Sequence, residues 1–143
     1  MAKAAFYERD EKIRIGDAEV SLPGPHEVQI EIAYAGICGT DLHIYHGDMD
    51  WRVAESQIMG HEISGTVAAV GGDVEGLEIG QPVTVMPLDP CGECPACQAG
   101  HSHICHNLNF LGIDTQGGFQ TYWTVPAYTV FELPEDLPLK RAA

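Results

Sequence analysis

Four cysteines, Cys91, Cys94, Cys97 and Cys105, stand within fifteen residues as C-G-E-C-P-A-C-x7-C. Thiolates are soft ligands, and four of them form a closed tetrahedral shell that suits zinc as a structural ion. The main rival is an iron–sulfur cluster. A bacterial ferredoxin run closes with C-x3-C-P, whereas here seven residues precede Cys105 and His106 follows it. Haem attachment fails on the same ground, because Pro95 and Gln98 stand where C-x-x-C-H requires histidine. His101, His103 and His106 are ligands by type, but solvated loop histidines describe them better.

A second constellation is G-I-C-G-T-D-L-H, from Gly36 to His43, followed by G-H-E, from Gly60 to Glu62. Cys38 falls at a strand-to-helix junction, where a helix N-terminus favours the thiolate. Thr40 and His43 are three apart, so a short helix carries them on one face, where they can pass a proton. His61 offers an imidazole. Glu62 adjoins it, and adjacent side chains on an extended backbone point opposite ways, so both reach one metal only if the chain bends there. Each residue alone also reads as ordinary structure: a buried cysteine, a capping threonine, a core histidine. Their conjunction points to chemistry.

The elements that must position these groups read mainly as strands. Val28, Ile30, Ile32 and Tyr34 alternate with Gln29, Glu31 and Ala33, the period of a half-buried strand, after the turn cluster Leu22 to Glu27. Shorter strands are expected at Lys3 to Tyr7, Ile13 to Val20, Ile63 to Val70 and Gln81 to Met86. Two more follow at Gly118 to Val125 and Tyr128 to Leu133. Helix is scarce: one begins near Thr40 or Asp41 as N-cap, and Gln98 to His106 holds a turn or two. Strands at this spacing, punctuated by Gly and Pro, predict a small barrel or sandwich, with the segment from Pro87 to about Phe110 inserted as a lobe. No G-x-G-x-x-G follows a strand, so no dinucleotide-binding unit is expected within these 143 residues.

Composition narrows the partners. The chain has a formal charge of −14, from 21 acidic against 7 basic residues, which disfavours nucleic acid and anionic membrane. No apolar run approaches the ~20 residues of a membrane span, and Glu8 interrupts any signal-peptide core, so a cytoplasmic protein is expected. With 45% hydrophobic residues the chain folds around a core without disulfide staples, and five cysteines suit a secreted disulfide framework badly.

Together these segments resemble the zinc-dependent medium-chain alcohol dehydrogenases, in their GroES-like catalytic domain. The resemblance rests on GICGTD at Gly36 to Asp41, GHE-x2-G-x-V-x2-VG from Gly60, the cysteine lobe, and GGF…Y…VPA from Gly117 to Ala127. ICGTDLHIY and GHSHICHN are most similar to L-threonine and polyol dehydrogenases. It implies a partly open β-barrel over residues 1–143 with short helices and an inserted four-cysteine zinc lobe at about 87–110. It implies further that Cys38 and His61 hold a catalytic zinc, with Glu62 a movable ligand or just behind. Asp41 would accept a hydrogen bond from His61, Thr40 and His43 would relay the proton, and the hydride would pass from a secondary alcohol, polyol or amino alcohol to NAD(P).

Departures accompany it. Gln81-Pro82 replaces the family's Asp-Arg, and Leu88 replaces a histidine that threonine dehydrogenases tend to carry. Relatives continue into a Rossmann domain that binds NAD(P) and are homo-oligomers, so the chain alone is expected to be inactive, with its lobe zinc tight and its catalytic zinc weak or absent. A free-standing zinc-binding or assembly module, like the chaperonin cofactor whose barrel the family shares, is the alternative.

Overall fold

A computed structural model describes residues 1–143. Strand β1 (Lys3–Tyr7) pairs antiparallel with β2 (Ile13–Asp17) through a turn in which Arg9, Asp10 and Glu11 are all left-handed. Such backbone persists in non-glycine residues only where contacts hold it. Here Arg9 reaches the Asp50 carboxylate at 3.0 Å, and Glu11 reaches His46 at 2.8 Å. β2 ends three residues before the expected Val20, because the following segment leaves to cross β3, where the buried Gln29 amide donates to the Ser21 carbonyl at 2.7 Å.

β3 (Glu27–Ala35) is the spine of a five-stranded sheet. β5 (Ile63–Val70) and then β6 (Pro82–Val85) follow on one side, and β9 (Tyr122–Pro126) lies on the other. β10 (Val130–Glu132) closes the far edge beside β6. Alternate residues of these strands fill one core: Val28, Ile30, Ile63, Val67, Val83, Trp123 and Val125 are buried together. β4 (Gln57–Ile58) adds a third strand beside β1, so outside the cysteine lobe the strands form two open sheets rather than a closed barrel. The last two main-sheet strands start later than the sequence predicts. Gly117 to Phe119 instead bond to Ile58, Met59 and Gly60, and a 3₁₀ turn at Ala127–Thr129 precedes β10.

Short strands β7 (Leu88–Asp89) and β8 (Asn109–Phe110) pair as the neck of the cysteine lobe. Within it, helix α2 (Pro95–Gln98) starts earlier than expected, as proline at a first helical position permits, and a 3₁₀ turn covers Ser102–Ile104. Helix α1 (Gly39–Tyr45) is capped by Cys38, not by Thr40 or Asp41. Asp41 acts from inside the first turn, its Oδ2 accepting the Cys38 N–H at 2.8 Å. A last helical turn, α3 (Leu139–Ala142), lies on β5, with its Leu139 carbonyl accepting from Ser64 Oγ at 2.7 Å. No helix is long and apolar enough to cross a membrane.

Candidate functional site

The register of the main sheet decides what meets what. Ala35 pairs with Ile63 at the end of the β3–β5 ladder, and the Gly36 N–H continues it to the Glu62 carbonyl at 2.7 Å. The residues just past β3 therefore lie beside those just before β5. Sγ of Cys38, a ring nitrogen of His61 and a carboxylate oxygen of Glu62 all fall within 4.8 Å of one another. The bend that both neighbours need is present: Gly60 has φ +93°, and strand conformation begins only at Ile63. A side chain at residue 60 would collide with the Phe119 ring.

Behind these groups, Asp41 is 2% exposed and His61 5% exposed. Asp41 Oδ1 and His61 Nδ1 lie 3.8 Å apart, and both are buried without a hydrogen-bond partner. Unpaired buried polar atoms are costly, and such a pair is what a metal-binding histidine oriented by a carboxylate leaves behind. Burial is the main force pushing the Asp41 carboxyl up, opposed by the Cys38 N–H and by His61. The donor set of one thiolate, one imidazole and one carboxylate suits zinc at a site that keeps an open position.

A cavity of about 600 Å³ opens onto this cluster, lined by Cys38, Thr40, His61 and Glu62 and walled by Phe110. Thr40 Oγ1 is 3.7 Å from Cys38 Sγ. His43 sits on the exposed side of α1 and pairs with Asp48 at 3.0 Å, so Thr40 lines the cavity and His43 faces solvent. Another hollow, of about 640 Å³, lies between the Glu19–Ser21 segment and β9 and shares no residue with the first. Its Gln29 and Gln116 are engaged with Ser21 and Ile58, and no set of ligating side chains converges there.

In the lobe, all four cysteines converge. The Sγ separations are 3.4 Å for Cys91–Cys105, 3.5 Å for Cys94–Cys97 and 3.9 Å for Cys94–Cys105. A tetrahedron with metal–sulfur bonds of ~2.3 Å has edges of about 3.8 Å, and a disulfide would need ~2.05 Å. Backbone N–H groups of Cys97 and His106 pull the Cys94 thiol down to about 6, while burial pushes Cys97 up to about 12. His101 and His103 stand edge-to-face with one another and outside the thiolate group.

Sequence reasoning did not identify Phe110, whose ring meets the His61 imidazole edge-on at 5.2 Å and 89°. Nor did it place Ala142 and Ala143 on the cavity wall. Neither stretch carries a periodic or motif signal, since a single residue after a lobe and one turn of helix are both too short to show one.

A family model described as the alcohol dehydrogenase GroES-like domain matches residues 24–135. The chain is 51% identical over 140 residues to the 2-dehydro-3-deoxy-L-galactonate 5-dehydrogenase of Pseudoalteromonas atlantica, covering 98% of this chain and 41% of that protein. It is 46% identical over 125 residues to the L-threonine 3-dehydrogenase of Pyrococcus furiosus, covering 85% and 36%. A solved short chain alcohol dehydrogenase from Escherichia coli CFT073, complexed with NADH, superposes with a TM-score of 0.90 at 35% identity, covering 99% and 41%. The chain thus spans about two fifths of the length of these relatives.

Proposed function

The chain belongs to the family of alcohol dehydrogenase GroES-like domains, and from that premise we propose that it is the metal- and substrate-holding part of a zinc-dependent, NAD(P)-linked dehydrogenase. Its substrate would be a secondary alcohol, polyol or amino alcohol, the class to which the named relatives point. The observation that carries the reading is the convergence of Cys38, His61 and Glu62 beside the unpaired Asp41 and His61 atoms, on a cavity wall that also holds Thr40. A pure assembly module has no use for that arrangement.

Cys38, His61 and Glu62 would hold the catalytic zinc, and Cys91, Cys94, Cys97 and Cys105 a structural one. Zinc at the first site supplies Lewis acidity that lowers the pKa of a substrate hydroxyl. Asp41 would orient the His61 ring by facing its Nδ1 at 3.8 Å, although the hydrogen bond expected between them is not made. Thr40 Oγ1 lines the cavity, where it would take the hydroxyl proton while releasing its own. His43, which makes no hydrogen bond to Thr40 and pairs with Asp48 at the surface, would carry a proton to solvent. A nicotinamide, held by a Rossmann domain outside these 143 residues, would accept the hydride, in a cytoplasmic homo-oligomer.

The test is turnover. The product of the gene that carries this sequence should reduce NAD or NADP with at least one of butane-2,3-diol, sorbitol or threonine, while residues 1–143 alone should not. Turnover by residues 1–143 alone, or none by the gene product with any secondary hydroxyl, overturns the reading.

A further inference from the structure

Between the lobe neck and β9, the chain turns sharply at Phe110–Asp114, and that turn is gripped from two sides. It closes on itself through the Asp114 N–H to the Phe110 carbonyl at 2.8 Å and the Phe110 N–H to Asp114 Oδ2 at 2.7 Å. On its inner side, Gly112 (φ +87°) rests on the Gly60 carbonyl and His61 Cβ, so closely that any side chain there would collide. On its outer side, Arg52 forks onto Asp114, Nε to Oδ1 at 2.7 Å and Nη2 to Oδ2 at 2.8 Å.

Arg52 belongs to the loop after α1, remote in sequence, and that loop is itself anchored. Asp50 accepts from the Tyr7 hydroxyl at 2.8 Å and pairs with Arg9 at 3.0 Å, while Met49 packs in the same apolar cluster as Phe110. The Arg52 and Asp114 side chains are 32% and 25% exposed, so the fork is partly shielded. A bidentate fork adds fixed geometry to the attraction of charge, which an ordinary surface pair lacks. Arg52 holds the Asp114 carboxyl below the usual carboxylate range, and Asp114 raises the Arg52 guanidinium.

We propose that Arg52 and Asp114 are a positioning pair that sets the Phe110 ring against the His61 imidazole. Phe110 is thereby the apolar wall that limits the bulk of what reaches Cys38, His61 and Glu62. The identity of the occupant rests on the dehydrogenase reading above, but the placement of the ring does not.

The His61 ring protons report that placement through the ring current of Phe110, read by NMR on the 143-residue chain. Phe110→Leu sets the full displacement of those signals. Arg52→Gln should produce most of it, and Arg52→Lys, which keeps the charge but not the fork, should produce less. The amide signals of β3, β5 and β9 should stay in place in all three. If Arg52→Gln unfolds the chain, Asp114→Asn, which keeps an acceptor for the Phe110 N–H, is read by the same criterion. His61 signals that move in Phe110→Leu but not in Arg52→Gln overturn the positioning pair, and signals unmoved in Phe110→Leu overturn the ring contact itself. In the turnover assay, Phe110→Ala should lower KM for 1-phenylethanol ~10-fold relative to butan-2-ol. An unchanged KM ratio overturns the wall. Absence of any turnover removes the dehydrogenase reading and the wall with it, while the NMR result still decides the pair.

Discussion

Replacing Cys97 by serine should strip the lobe of its metal, whereas replacing Cys38 should leave that metal in place. The three lobe Sγ separations of 3.4, 3.5 and 3.9 Å average close to the edge of a zinc–thiolate tetrahedron, so little reorganisation is needed on binding. Apparent zinc free energies in small structural sites run to ~10–16 kcal/mol. A quarter of that, the share of one thiolate in four, is roughly 2.5–4 kcal/mol, or ~10²–10³ in affinity. The lobe has little else to hold it. Its buried side chains are Cys94, Ala96 and Cys105, with Cys91, Cys97 and Leu108 packed beside them. Ordering its backbone costs ~1–2 kcal/mol per residue, which so small a cluster cannot offset. Competition against a chromogenic chelator, with elemental analysis, should find close to one tightly held zinc in the wild-type chain and in Cys38→Ser. Cys97→Ser should lose most of it, and the amide signals of residues 91–107 should collapse while those of β3 and β5 persist. A Cys97→Ser variant that competes like the wild type, or a Cys38→Ser variant that loses the tight zinc, would refute the reasoning.

Thr40→Ala in the active gene product should lower turnover ~10²–10⁴-fold, the worth of a positioned proton-transfer group, and an unimpaired rate removes Thr40 from the relay. Tyr7 is buried, and burial and Asp50 push its phenol from 10.0 up to about 12. Its stabilising contribution is therefore intact below the unfolded value and is lost as pH rises towards the folded one. Urea midpoints should fall more steeply over that window in the wild type than in Tyr7→Phe, and parallel curves would count against the assignment. Asp41→Asn keeps an acceptor for the Cys38 N–H but loses the carboxylate facing His61. It should weaken cobalt binding at Cys38/His61 by ~10–100-fold in zinc-filled lobes, and an unchanged titration would detach Asp41 from that role.

How much of this the sequence showed follows from the range of each interaction. β1 and β5 were legible to the residue because their apolar pattern and their flanking turns agree. The lobe was legible because its four cysteines are local. The cap of α1 was misplaced by two or three residues, since the usual signal sits at the N-cap, whereas here Asp41 reaches back from the first turn to a cysteine. β4 and the late start of β9 escaped notice because they answer to each other: the glycine-rich stretch after Gln116 bonds to residues 58–60, a pairing no local pattern encodes. Phe110 and the Arg52–Asp114 fork are likewise long-range, joining residues whose types alone said nothing.

The candidate chemistry is an extension of the β3–β5 ladder rather than an addition to it. Val28↔Val70 and Ile30↔Val67 put the same core face inward on both strands, and burial of that face fixes the register. Past the register shifts at Gln29/Ile30 and Ile32/Tyr34, Ala35 pairs with Ile63 and Gly36 bonds to Glu62, with Cys38 two residues beyond on one chain and His61 adjoining on the other. A slip of one residue would turn Ile63 out of the core and carry His61 away from Cys38 in the same motion. Asp41 then ties the two ends together, one carboxylate oxygen on the Cys38 N–H and the other facing His61 Nδ1. Stability of the apolar core and assembly of the ligand cluster therefore depend on one strand pairing, including the two shifts that bring Ala35 opposite Ile63. A chain that keeps its hydrophobic register has already brought the thiolate, imidazole and carboxylate to one point.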